Sequence, residues 1–127
     1  MKTPKEISNL VTELIIRTAA LENNHSYCAC VPKEALIESL EATGDCAAEF
    51  SNIVLSVTDP DEFAKSFGEQ RTTVALVRAA QVIRKIAQDK SANPDLIQAA
   101  MDRSNTLTAL AKRISNLLDT FPDKTEN

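Results

Sequence analysis

Residues 94–121 have the sequence PDLIQAAMDRSNTLTALAKRISNLLDTF, and this stretch decides the fold class. Apolar side chains recur in it at alternating steps of four and three residues, which aligns them on one side of a helix. Asn93 and Pro94 form a helix start and Pro122 a stop, so we predict one long C-terminal helix. A break near Ser104, a good capping residue, is the alternative. The repeat consists of Leu96, Ala100, Leu107, Leu110, Ile114, Leu117 and Phe121, with one charged interruption at Arg103.

The preceding stretch, from Arg71 to Lys90, is the most apolar segment of the chain. A narrow polar strip through Arg78, Gln81 and Lys85 interrupts an otherwise aliphatic helix. A helix that is apolar around most of its circumference normally lies at the centre of a bundle or against a second chain. We therefore expect this helix either to occupy the centre of the fold or to contact a partner.

Capping signatures mark the first helix. Thr3, Pro4 and Glu6 form a capping box with proline at the first helical position. We predict that this helix ends near Asn24, and that residues 25–31 form a loop or extended connector, because they lack helical periodicity and precede a proline. The apolar positions that recur every three or four residues in this helix are Ile7, Leu10, Val11, Leu14, Ile15 and Leu21.

Two more helices are predicted between residues 32 and 57. Pro32 opens the first of them, and Gly44 is expected to close it as a left-handed residue. Asp45 then caps the next helix, which carries an apolar stripe up to Val57. The tight connection between them predicts a corner or a helical hairpin.

A short helix is predicted after Asp59 and Pro60, which repeat the capping signature. Phe63 and Phe67 supply its apolar anchors, and Gly68 is expected to end it. Together with the segments on either side, this gives five to six helices and no candidate strand.

Composition supports a compact helical protein. The 127 residues include only two glycines, with 43% hydrophobic and 25% charged residues, which is ordinary for a folded domain. The fold prediction is an all-α, single-domain bundle over residues 1–127, with a frayed tail at 123–127. We predict no membrane span and no signal peptide, because charged residues interrupt every apolar run. An odd count of three cysteines predicts reduced thiols and a cytoplasmic protein.

Charge is distributed unevenly along the chain. Residues 1–69 hold 5 basic and 12 acidic side chains, a net charge of −7, whereas residues 70–127 hold 9 and 6, a net charge of +3. The total is the −4 of the whole chain. Such an asymmetry predicts either that the two halves attract each other within one molecule or that the basic half meets an acidic partner.

The thiols and the single histidine supply the sharpest candidate for a metal site. His25, Cys28, Cys30 and Cys46 are zinc-ligand types, but their spacing departs from the paired knuckles of structural zinc sites. We therefore expect buried thiols and a surface or loop histidine, with no bound metal or cofactor. A labile bridge between Cys28 and Cys30 is the redox alternative.

Acidic and basic clusters supply two weaker candidates. Glu34, Glu38 and Glu41 share a predicted helical face, with Asp59 and Glu62 one helix away, and such carboxylates can hold magnesium ions against phosphates. A magnesium-dependent nucleotide pyrophosphohydrolase is therefore an alternative function, although solvated glutamates are the commoner use of this pattern. Nucleic-acid binding by a basic set is not expected, because the isoelectric point is near 5.0 and only one tyrosine is present. The residues of this basic set are Arg71, Arg78, Arg84, Lys85, Lys90, Lys112 and Arg113.

A non-enzymatic interaction module is the preferred functional prediction, with no catalytic residue assigned. The two C-terminal apolar helices offer more hydrophobic surface than a small bundle needs, which predicts a homodimer or the docking of a helical protein partner. The alternative use of the same residues is to fill the core of a monomer. An acidic mimic of nucleic acid is a third possibility for function. The predicted interface residues are Val74, Val77, Leu107, Leu110, Ile114 and Leu117.

Overall fold

The computed structural model describes residues 4–27, 31–67 and 70–122. These ranges contain five helices and no strand, which confirms the all-α prediction. None of the helices in the described ranges combines the length and the apolar character that a membrane crossing requires. The helices are α1 (Pro4–Tyr27), α2 (Lys33–Ser56), α3 (Pro60–Phe67), α4 (Gln70–Ala87) and α5 (Pro94–Asp119).

The long C-terminal helix is confirmed as one unbroken element. α5 runs for 26 residues, and it passes through Ser104 without interruption. The side chain of Asn93 accepts a hydrogen bond from the backbone N–H of Asp95 at 2.9 Å, as the capping signature predicts. The helix ends at Asp119, shortly before Pro122.

The four long helices form a bundle whose directions follow from specific contacts. Lys33 contacts Asp95, and Glu41 contacts Arg103 eight residues further along both helices, so α2 and α5 run parallel. α4 turns back into α5 across residues 88–93, which makes these two helices antiparallel. α4 therefore lies between α1 and α5, and α3 links α2 to α4.

The core lies between α1, α2, α4 and α5, and its buried hydrophobic side chains are aliphatic apart from Phe50, Phe67 and Cys46. Its largest fully buried side chains include Phe50, which meets Phe67 edge-to-face with ring centroids 5.9 Å apart. Phe63 contacts both Phe67 and Phe121, so a chain of four rings joins α2, α3 and the end of α5. The fully buried aliphatic residues of this core are Leu14, Leu21, Leu40, Ile83 and Ile86.

Gly44 does not end a helix, and this prediction was wrong. α2 continues through it to Ser56, and no glycine in the described ranges has a positive φ. The reason is tertiary: a Cβ atom at position 44 would lie 2.9 Å from Cδ and 3.2 Å from Cβ of Arg103. Glycine at this position leaves room for the Arg103 side chain of α5 beside α2. Asp45, predicted to cap a new helix, is an interior helical residue whose carboxylate faces Arg103.

The first helix is longer than the sequence indicates. α1 continues to Tyr27, so the first three residues of the predicted connector are helical. His25 is therefore neither a loop residue nor a surface residue, since its side chain is only 13% exposed and Nε2 contacts Asp89 at 3.0 Å. Tertiary contact with the turn after α4 compensates for the missing helical periodicity. Thr3, Cys28, Cys30, Gly68 and the tail at 123–127 lie outside the described residues.

The short helix α3 has the predicted bounds and cap. The carboxylate of Asp59 accepts hydrogen bonds from the backbone N–H groups of Asp61 at 2.8 Å and Glu62 at 3.1 Å. Phe67 is buried and Phe63 half-buried, as their anchoring role predicts.

Ion pairs join the acidic and basic halves of the chain within one molecule. Glu22 of α1 pairs with Arg78 of α4, and Arg103 of α5 lies between Glu41 at 3.4 Å and Asp45 at 3.3 Å. Attraction between the halves thus accounts for part of the charge asymmetry. Because these pairs are partly exposed, each contributes little to the free energy of folding.

Candidate functional site

The large exposed hydrophobic side chains lie on α1, α4 and α5. On α4, Val74 is 55% exposed and Val77 50% exposed, and on α1 Ile16 is 62% exposed. Among the described side chains, α2 and α3 have no comparable residue. The face formed by α1, α4 and α5 is therefore the candidate docking surface. The full set is Ile15, Ile16, Val74, Val77, Met101 and Leu118.

α4 forms a ridge along the middle of this face. Its inner side is buried through Ala79, Ile83 and Ile86, which point into the core. Its outer side is exposed and changes from aliphatic to polar towards the C-terminus. We call this outer side the α4 ridge, which comprises Val74, Val77, Gln81 and Arg84.

The α4–α5 groove lies on one side of the ridge. It has a volume of about 260 Å³, and Leu76, Val77 and Ala80 form its α4 wall. Leu107, Ala111 and Ile114 form the α5 wall, so three predicted interface residues meet here. Among the described side chains that line it, Arg84 is the charged one.

The α1–α4 groove lies on the other side of the ridge and is slightly larger, about 310 Å³. Ile15 and Ala19 of α1 face Val74 and Ala75 of α4 across it. The ion pair between Glu22 and Arg78 also lines it. Thr18 contributes a buried hydroxyl that has no hydrogen-bond partner in the described part of the chain.

The predicted interface residues divide between surface and core. Val74 and Val77 are exposed, whereas Leu107 and Leu110 are buried against the other helices of the same molecule. Ile114 and Leu117 are partly covered. The α5 repeat thus serves mainly the core, and the exposed part of the predicted interface lies on α4. Whether this set binds a partner stays a prediction.

α1 adds residues to this face that sequence reasoning missed. Ile15 belongs to the apolar repeat of the helix but is 40% exposed beside α4, and Ile16, which is outside that repeat, is 62% exposed. A signal was present, because Ile16 is a branched aliphatic residue off the apolar stripe of its helix. Such a residue on the solvent side of an amphipathic helix is either an isolated exposed side chain or part of a contact surface.

No metal site is visible in the described ranges, where no group of three or more metal-ligating side chains comes together. His25 lies at the end of α1 and pairs with Asp89, while Cys46 is buried on the inner side of α2. Cys28 and Cys30 fall outside the described residues, so the zinc and redox alternatives involving them are not tested.

Cys46 is predicted to be unreactive in the folded protein. Burial, reinforced by the carboxylate of Glu13, raises the pKa of its thiol from 9.0 to about 11, which lowers the thiolate fraction about a hundredfold. In a Cys28→Ser, Cys30→Ser variant, alkylation by iodoacetamide should therefore be at least about a hundredfold slower in the native state than in guanidinium. Native and denatured rates within about threefold of each other would contradict this burial effect.

Asp89 links the end of α1 to the turn after α4. Hydrogen bonds from the hydroxyl and the backbone N–H of Ser91 lower the pKa of its carboxyl below 3.8, and His25 adds to this effect. A lowered folded-state pKa contributes stability that is present above the ordinary pKa and lost as the pH falls through the folded value. An Asp89→Asn variant should therefore lose less of its unfolding free energy than the wild type between about pH 5 and about pH 2. Asp119→Asn is the charge-matched control, and equal pH slopes in all three proteins would contradict the prediction.

The residues of the candidate acidic cluster have separate structural roles. Glu41 pairs with Arg103, and Asp59 caps α3. Glu34 and Glu38 are exposed on α2. Nothing in this arrangement favours magnesium chemistry, and the pyrophosphohydrolase alternative gains no support from it.

Comparison with known proteins identifies no relative of this chain. The chain matches no family model, and neither a curated protein nor a solved structure is significantly similar to it. An all-α bundle by itself hosts many unrelated activities. The function is therefore inferred from the surface of this chain alone.

Proposed function

We propose that this chain is a non-enzymatic, cytoplasmic interaction module that self-associates through its C-terminal helices, with the α4 ridge at the centre of the contact. The observation that supports it most directly is the exposure of Val74 and Val77 between two apolar grooves. Scattered exposed aliphatic residues are common on proteins, but a ridge of them with a groove on each side is the shape that helix packing uses.

The sequence of α4 supports the same proposal. Its inner residues fill the core, whereas Val74 and Val77 lie on its outer side and are 55% and 50% exposed. Each exposes aliphatic surface whose burial contributes about 25 cal/mol per Å². A two-fold pair buries the same ridge on both copies, which doubles this contribution. The free, buried thiol of Cys46 is compatible with the proposed reducing compartment.

The experiment is sedimentation of the purified chain between about 1 and about 100 µM, compared with a Val77→Lys variant. We expect a concentration-dependent dimer in the wild type and a dissociation constant at least about tenfold higher in the variant, because lysine places a charge in the apolar contact. The matched control is Ala35→Lys, which adds the same charge at an exposed position on α2.

A wild-type chain that stays monomeric over this range contradicts the self-association proposal. A dimer that Val77→Lys leaves unchanged contradicts the placement of the contact on α4. Circular dichroism of both variants checks that the helices are intact, since the two positions are exposed and lysine is a good helix former.

A further inference from the structure

The α1–α4 groove supports an inference that rests on the self-association proposed above and extends it to α1. We infer that this groove receives the α4 ridge of a second copy. α1 then forms one wall of the contact, although it is outside the predicted C-terminal interface. In this arrangement each copy supplies one ridge and one groove, as two-fold symmetry requires. The α4–α5 groove remains open to solvent.

Charge distinguishes the two grooves. Residues 70–88, which include all of α4, contain no acidic residue, and Arg78, Arg84 and Lys85 are exposed on the helix. A second α4 is therefore a cationic helix. Among the described side chains, Arg84 is the charged residue that lines the α4–α5 groove, whereas the α1–α4 groove is lined by Glu22 and Arg78, whose opposite charges cancel. Like charges at a contact are unfavourable, so a cationic helix is repelled less by the groove whose lining carries no net charge.

The charge balance of α1 agrees with this choice. α1 contains three acidic residues and two basic ones, while α4 contains four basic residues and no acid. Two copies related by a two-fold axis place α1 of each beside α4 of the other. α4 of each copy then lies beside the oppositely charged α1 of the other as well as beside its α4, so α1 offsets part of the repulsion between the two cationic helices and favours the groove that contains it.

The distribution of apolar surface favours a second copy over an isolated partner helix. A single helix laid in the α1–α4 groove covers Ile15 and Ala19 but leaves the outer side of Val77 in water. A second copy covers the groove with its own ridge and receives the first copy's ridge in its own groove. The α4 ridge and the α1–α4 groove of each molecule are then buried in one contact.

Two alanines allow a matched test, because Ala19 lines one groove and Ala111 lines the other, and both are exposed. Ala19→Arg and Ala111→Arg add the same bulk and the same charge on helices. The measurement is the dimer dissociation constant by sedimentation, with circular dichroism as a check on helicity. We expect Ala19→Arg to raise this constant at least about tenfold and Ala111→Arg to change it less than about twofold.

The other outcomes overturn the inference in distinguishable ways. A dimer lost in Ala111→Arg and kept in Ala19→Arg moves the contact to the α4–α5 groove, which preserves self-association but rejects α1. Equal losses in both variants reject the choice of one groove, and no loss in either rejects both grooves. A monomeric wild type rejects the inference together with the proposed function. If Ala19→Arg lowers helicity, Ile15→Arg tests the same groove at a 40% exposed position.

Discussion

Replacing Phe50 by alanine should lower the free energy of unfolding by about 4 kcal/mol, the largest effect we expect from a single side chain. Phe50 is fully buried in α2 and contacts Phe67 edge-to-face. Its removal leaves a cavity between α2 and α3 and deletes one aromatic contact, which itself contributes about 0.5–1.5 kcal/mol. The measurement is urea denaturation followed by circular dichroism.

A conservative substitution at the same position is the control for Phe50→Ala. It distinguishes the stability lost with the packed side-chain volume from the stability lost by any substitution at this position. Phe50→Leu retains most of the apolar volume and should cost about 1–1.5 kcal/mol. Because the ring chain continues through Phe63 to Phe121, Phe50→Ala should also increase hydrogen exchange in α3. A loss below about 1 kcal/mol in Phe50→Ala would contradict the burial of this ring.

The second large effect is expected at Gly44, where the Arg103 side chain occupies the space that a large side chain would need. Gly44→Leu should lower the unfolding free energy by about 2–3 kcal/mol, because the new side chain would have to displace Arg103 and separate α2 from α5. This loss is expected even though leucine favours a helix over glycine by nearly 1 kcal/mol. Ala35→Leu, at an exposed position of the same helix, is the matched control and should change stability by less than about 0.5 kcal/mol.

A double-mutant cycle tests whether Arg103 is the cause. Gly44→Ala gains about 1 kcal/mol of helix propensity, but its Cβ would press against Cδ and Cγ of Arg103. Stabilisation by Gly44→Ala should therefore be larger in an Arg103→Ala background than in the wild type, by more than about 0.5 kcal/mol. Equal effects in the two backgrounds would mean that Arg103 does not limit the space beside Gly44.

The errors of sequence reasoning in the fold have one physical source. Glycine and aspartate at positions 44 and 45 have the local signature of one helix ending and another starting, yet α2 passes through both. The segment after Asn24 lacks helical periodicity, yet α1 includes His25. In both places a contact with a distant segment, Arg103 or Asp89, outweighs a local preference of about 1 kcal/mol.

The candidate site was only partly predictable for the same reason. Val74 and Val77 could be singled out because α4 is too apolar for one buried side, which is a property of local sequence. The burial of Leu107 and the exposure of Ile15 depend on which helices flank α4. Periodicity identifies the apolar side of a helix but does not say which neighbour covers it.

The sequence by itself determined the helical class and the caps at Asp59 and Asn93, because these depend on residues within one or two turns of each other. It favoured an unbroken C-terminal helix but left a break near Ser104 open, and the structure shows one continuous helix. Tertiary structure alone decided that Gly44 is a packing residue and that α4 lies between two grooves. Those features arise where residues distant in sequence come into contact. The spacing of residues along the chain does not indicate which distant residues will meet.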